Sequence, residues 1–246
     1  MQSDPIRNLA LIEEVRTAIY LIQEGLISLN RLDGANDFAH LPILLLSNGF
    51  ERLLKMVICL NYLERKDQFP NDSSFHEYKH HKVGRLLKQV IHIAKGWKYG
   101  ESREATKSDM EFLENDDDLK RIVTLLEKYA DAGRYYNIDV IVGKKHSADD
   151  DPVRLFDSYC DDIFFSQSDW QNKITGENLG ERMDENIRYI NRHITTLLQR
   201  FARALCRMFT MGRLGQIGSQ QTGTIGCFLY LQDKDLGQVQ SRWFKS

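Results

Sequence analysis

Arg188 and His193, set in the hexapeptide RYINRH, are the residues of this chain best suited by type to act on a phosphodiester. An imidazole can move protons at the 2′-hydroxyl or the leaving 5′-oxygen of RNA, and a guanidinium can hold the charge developing on the phosphate, so the pair calls for no metal and no cofactor. A chain this rich in arginine and histidine carries about half of one such pair by chance, so the spacing needs support from elsewhere in the sequence. Five residues at about 100° each also set the two side chains about 140° apart on a straight helix. They converge if the helix is distorted, if both flank a groove, or if a second subunit completes the site. The competing reading makes His193, at the edge of an apolar sector, a satisfied interfacial histidine.

Arg192, Arg200, Arg203 and Arg207 continue the pattern, and no Asp or Glu occurs between Glu185 and Asp233. In a chain of net charge -2 this is a local basic stripe. It can track a phosphate backbone through Arg192, Arg200 and Arg203, with Tyr189 offering a stacking surface. The alternative is that the acidic runs at 109–118 and 149–151, or Asp161 and Asp162, fold over it. A second group, Asn48, Glu51, Arg52 and Lys55, interrupts the apolar run LLLSNGFERLLKMVICL. Asn48, Glu51 and Lys55 share a helix face, and charged groups in such a run are either paired or line a cavity. His81 is expected to pack near Glu51. The histidines His76, His80, His81 and His92 lack an HExxH or other ligand pattern, so no metal site is expected. Neither a P-loop, a GxGxxG nor a GxSxG elbow occurs, which leaves nucleotide hydrolysis and esterase chemistry without support.

These residues depend on helices. From Arg182 to Gly212 the residues Ile187, Ile190, Ile194, Leu197, Leu198, Phe201, Leu205 and Met208 fall in one apolar sector, opposite the arginines. A first helix is expected from a Ser3 or Asp4 cap with Pro5 at its first position to near Asn30. A second runs from about Asp37 to Arg65, stopping before the turn Phe69-Pro70-Asn71-Asp72, and a third from His81 to Lys95, closed by Gly96. The acidic stretch from Tyr99 to Asp118 reads as a short helix and linker, Leu119 to Ala132 as helix, and Gly133 to Gly143 as an irregular run or short strand. After the KKHSADDD loop, Pro152 starts a helix to about Phe165. Past Gly212 a glycine-rich connection leads to Cys227-Phe-Leu-Tyr-Leu, a DKDLG turn and Val239, which suit a small hairpin. The expected architecture is all-α: a helical body over residues 1–212 and a glycine-rich connection with a hairpin tail over 213–246.

At 246 residues and 42% hydrophobic, the chain can bury a substantial core. Its near-neutral charge argues against indiscriminate binding of nucleic acid or membrane. Scattered cysteines without a CxxC pair suit reduced thiols in a cytoplasm. Leu41 to Leu63 is the nearest approach to a membrane span, but Glu51, Arg52 and Lys55 fall in its middle, where charge is costly in lipid.

Two regions together resemble the HEPN superfamily of helical bacterial toxin, abortive-infection and RNA-processing proteins. Arg188 to His193 matches the R-x4-H signature of its metal-independent ribonucleases, at the start of the last long helix. SNGFERLLKMVICLNYLERKDQFP followed by KHHKVGRLLKQV is similar to the glutamate, lysine and downstream histidine pattern of AbiV-type proteins and related bacterial chains. The resemblance implies a helical bundle, often a homodimer, in which arginine and histidine of two subunits line one cleft. It implies RNA as substrate, a role in stress response or phage defence, and Glu51, Lys55 and His81 as supporting residues. Tyr189 departs from it, since active members carry a polar residue after the arginine. The resemblance thereby also admits a non-catalytic module that binds a partner protein or nucleotide.

Overall fold

Leu11, Val15, Ala18, Ile22, Leu26 and Leu29 recur at helical spacing and form the buried stripe of α1 (Asp4–Leu29). Asp4 lies in its first turn, where a negative charge complements the unpaired backbone N–H groups; Ser3 lies outside the described residues. α1 packs along α2 (His40–Lys66), whose buried residues Ile43, Leu46, Phe50, Leu53, Leu54, Val57 and Leu60 place it at the centre of the core. The two helices approach at a pair of glycines. A β-carbon on Gly25 would stand 2.6 Å from Leu46 Cγ, and one on Gly49 would stand 2.6 Å from Ile22 Cγ1 and 2.9 Å from the Ile22 backbone nitrogen. Only hydrogen fits at either crossing point. Arg52 and Glu14 close the pair at 2.5 Å on its flank.

The computed structural model describes residues 4–33, 35–78, 80–101, 103–130, 135–145, 151–170 and 179–239. Eleven α-helices and no strand occur among them, so the chain is all-α as its periodicity predicts. After α2 come α3 (Asp72–Phe75), α4 (Val83–Gly96), α5 (Glu104–Asn115) and α6 (Asp117–Lys128). α7 (Tyr136–Ile141), α8 (Pro152–Phe165) and the 33-residue α9 (Leu179–Met211) follow. Asp116 caps α6 by accepting the Leu119 N–H at 2.9 Å. Asp151 caps α8, with Pro152 in its first turn. The run expected as irregular or strand is instead α7 over Tyr136–Ile141, with Gly133 and Arg134 outside the described residues.

The C-terminal segment departs most from expectation. In place of a hairpin it forms α10 (Gly215–Ser219), α11 (Thr222–Leu229) and a 3-10 turn at Asp233–Asp235. Ile225, Phe228 and Leu231 are all buried, and their i, i+3, i+6 spacing is that of a helical stripe rather than strand alternation. With Leu214 they belong to the same hydrophobic cluster as the residues of α1, α2 and α9. Among the described residues no helix is long and apolar enough to cross a membrane. Cys59, Cys160, Cys206 and Cys227 are free thiols. Burial pushes Cys59 up to about 11 and Cys160 up to about 12, which leaves both weakly nucleophilic.

Candidate functional site

α9 is held through its apolar sector, with Phe201 stacked on Phe50 of α2 at 4.6 Å between ring centroids. Near its middle, Asn191 donates to the Leu32 carbonyl at 3.0 Å and Thr195 accepts from Asn30 at 2.7 Å, which ties α9 to the end of α1. These contacts orient the helix and sort its arginines into two sets. Arg207 pairs with Asp109 at 2.8 Å. Arg200 lies over the Phe112 ring at 4.1 Å and reaches Asp116 at 3.9 Å. Arg203, 5% exposed, donates to the Leu231 carbonyl at 3.0 Å and to Asp233 at 2.7 Å. The acids of 109–118 therefore do fold over the far half of the stripe, joined by Asp233 from the tail. Arg203, expected on a phosphate backbone, instead faces inward and secures the C-terminal segment, because the Leu231 carbonyl has to be satisfied once α11 is packed on α9.

Gln199 adds to that strap by donating to the Gln238 carbonyl and accepting the Gly237 N–H, both at 2.8 Å. Replacing Arg203 with Met removes the donor of a buried carbonyl and both contacts at this end. Arg203→Met is expected to cost about 2 kcal/mol in denaturant unfolding, and to speed proteolysis after residue 230. A loss below about 0.5 kcal/mol, the range of an ordinary surface change, contradicts this assignment.

The near half of the stripe is different. Arg188 and Arg192 are exposed, and neither side chain has a hydrogen-bond or ion-pair partner among the described residues. Tyr189 beside them is 44% exposed. His193 is half-buried and turns its Nε2 toward Asp118 of α6 at 3.5 Å. A carboxylate at one ring nitrogen orients the imidazole and leaves the other free to exchange protons. Arg188 and His193 do not meet within one chain, in keeping with their 140° separation, and no contact links them.

The second predicted group does assemble. Glu51, 6% exposed, receives Lys55 Nζ at 2.7 Å, while His81 Nδ1 lies 3.1 and 3.0 Å from its two carboxylate oxygens. A carboxylate only accepts, so Nδ1 is the donor in this contact. Burial alone would raise the Glu51 pKa; hydrogen bonds from Lys55 and His81, with their charges, outweigh it and hold the carboxyl below its usual range. His80 beside it accepts the Lys82 N–H at 3.1 Å, and burial followed by the charges of Arg85, Lys55 and Lys82 keeps it below the usual imidazole value. Arg52 and Asn48 stand outside this group. Arg52 holds Glu14, and Asn48 donates to the Leu44 carbonyl at 2.8 Å.

A depressed carboxylate stabilises the fold above its ordinary value of 4.5 and loses that contribution as pH falls through its folded-state value. Glu51→Gln is therefore expected to lower stability at neutral pH and to unfold with a shallower acid transition, read by circular dichroism against pH. Equal acid slopes for variant and wild type rule this out.

Ser47 of α2 donates to the Leu126 carbonyl at 2.7 Å and the α4 start, Gly84, donates to Glu127 at 2.7 Å. The Glu51 cluster thus lies toward the end of α6, whereas His193 meets Asp118 at its start. Those positions are about 13 Å apart along the helix. The structure does not bring the two predicted groups into one site. Asp118 as the partner of His193 is not visible in the sequence beyond its place in the acidic run. Among the described residues no group of three His, Cys, Asp or Glu is arranged to hold a metal. Comparison with protein-family models, with curated proteins and with solved structures finds no match to this chain.

Proposed function

We propose that this chain is a metal-independent endoribonuclease of the HEPN type, acting as a homodimer whose cleft combines Arg188 of one subunit with His193 of the other. The observation that carries this reading is the sorting of arginines on α9: from Arg200 onward they are engaged by acids, while Arg188 and Arg192, flanking His193, are exposed and have no hydrogen-bond or ion-pair partner among the described residues. His193 takes the 2′-hydroxyl proton, the 2′-oxygen attacks the adjacent phosphorus, and the P–O5′ bond breaks. The 5′-oxygen leaves with a proton from solvent, giving a 2′,3′-cyclic phosphate and a 5′-hydroxyl. Arg188 stabilises charge on the non-bridging oxygens, Arg192 holds a neighbouring phosphate, and exposed Tyr189 stacks a base. Asp118 orients the imidazole.

The test is incubation of the purified chain with RNA in EDTA, followed by mapping of the product ends. Identical cleavage by wild type and His193→Ala defeats the reading. A second reading, a non-catalytic module that docks a partner protein on the same surface, draws on the divergence of Arg188 and His193 within one chain. Metal-independent turnover that depends on Arg188 excludes it.

A further inference from the structure

We propose that the polar cleft formed where α2, α4 and α9 end binds a zwitterionic α-amino acid with an uncharged side chain. The cleft has a volume of about 710 Å³, a size that accepts a small organic ligand with water around it. Asn61 lines it and is 8% exposed, yet its carboxamide has no hydrogen-bond partner among the described residues. A buried amide normally finds a partner within the protein, and one left open toward a cleft is placed for a ligand. Glu64, Arg65 and Arg213 line the same cleft, and none of their side chains forms an ion pair or a hydrogen bond among the described residues. Charges of both signs thus face one cavity without pairing with each other. The backbone helps to build it: a β-carbon on Gly215 would overlap the Glu64 carboxylate, and one on Gly212 would stand 2.9 Å from Cζ3 of Trp97. The carboxylate and the indole therefore lie directly against bare backbone at the wall of the cleft.

The charges of the lining select the ligand. Arg65 and Arg213 bring two positive charges and Glu64 one negative charge. The C-terminal ends of α2, α4 and α9 add about half a negative charge each. The sum lies slightly below zero, which disfavours an anion such as a phosphate, while the two arginines disfavour a simple cation. A ligand with one charge of each sign and none in sum meets both conditions. Guanidiniums take an α-carboxylate through paired N–H groups. Glu64 accepts from the α-ammonium, which also gains from the negative potential of the helix ends. The Asn61 carboxamide, both donor and acceptor, can serve either group. Gln89 and the Trp97 indole provide a polar and an apolar wall for an uncharged side chain, whereas a charged one would restore the imbalance. The cleft lies about 29 Å along α9 from His193, so it stands or falls independently of the ribonuclease reading.

The experiment is calorimetric titration of the full chain with the common L-α-amino acids, followed by the carboxamide and the N-acetyl derivative of each one that binds. At least one amino acid with an uncharged side chain is expected to saturate at one per chain. Its carboxamide, which lacks the carboxylate, and its N-acetyl form, which lacks the ammonium, should each bind roughly tenfold more weakly or worse. The double variant Arg65→Ala, Arg213→Ala should bind the amino acid no better than its carboxamide, while still rejecting the N-acetyl form. Glu64→Gln should do the reverse. All three positions are exposed, so unfolding midpoints should stay at the wild-type value. Asn61→Leu should weaken the amino acid itself, and Gln89→Ala gives the same readout if that variant does not fold. The proposal is overturned if no amino acid binds up to about 10 mM, if either capped form binds as well as the parent, or if the arginine and Glu64 variants keep the wild-type discrimination.

Discussion

RNA cleavage in EDTA is expected to fall by about 10²- to 10⁴-fold in His193→Ala, the range lost when a general acid–base group is removed. Arg188→Ala should fall by about 10²- to 10³-fold, as when a donor to a developing oxyanion is deleted. Both side chains are solvent-accessible, His193 at 38%, so unfolding midpoints should stay within a degree or two of wild type and the losses report on chemistry. Because the two side chains diverge on one helix, the sharper consequence concerns subunits. Each variant alone keeps about 1% of activity or less, but a heterodimer of Arg188→Ala with His193→Ala holds one cleft with both wild-type groups. After free exchange the mixture should regain about a quarter of wild-type activity, since about half the dimers are mixed and each has one intact cleft of two. No regain upon mixing two folded dimers places both groups in one chain and removes the composite cleft. Asp118→Asn should produce a smaller loss than His193→Ala, because it acts only by orienting the ring.

The largest stability effect is expected from the smallest substitution. Gly49→Ala puts a methyl 2.9 Å from the Ile22 nitrogen and 3.1 Å from the Ala18 carbonyl oxygen, and backbone cannot rotate away as a side chain can. α1 and α2 have to separate, which loosens the most extensive helix pair among the described residues. A cost of about 3 kcal/mol is expected in denaturant unfolding, at the upper end of ordinary overpacking. Trimming Ile22 to Val should not rescue it, since the backbone clash remains. Gly96→Ala is the control: its added β-carbon meets nothing within 4 Å, and the variant should be neutral or more stable by a few tenths of a kcal/mol. A Gly49→Ala protein as stable as wild type shows that the helices do not cross this closely. The effect extends to the candidate site, because Asn30 and Leu32, which hold Thr195 and Asn191 of α9, follow directly from α1.

Much of the molecule is legible in its residues. The stripes of α1, α2, α4 and α9 repeat every three to four positions, and such repeats reflect a local preference that survives packing, so the helices form within a few residues of where they are expected. Glu51 with Lys55 is equally local, one turn apart on one helix, and the structure holds them together at 2.7 Å. The tail was not legible. Cys227 to Leu231 is apolar throughout, and a short apolar run carries no period that separates strand from helix; its burial against α9 decided the matter. The same holds for the arginines. Arg188, Arg192, Arg200, Arg203 and Arg207 are equivalent in type and share one helix, so nothing local distinguishes them. What separates them is the arrival of Asp109, Asp116 and Asp233 from distant parts of the chain, which neutralises the far half and leaves Arg188 and Arg192 exposed. Helical periodicity is written residue by residue, whereas the neutralisation of a charge depends on which carboxylate the fold carries to within a few ångströms of it.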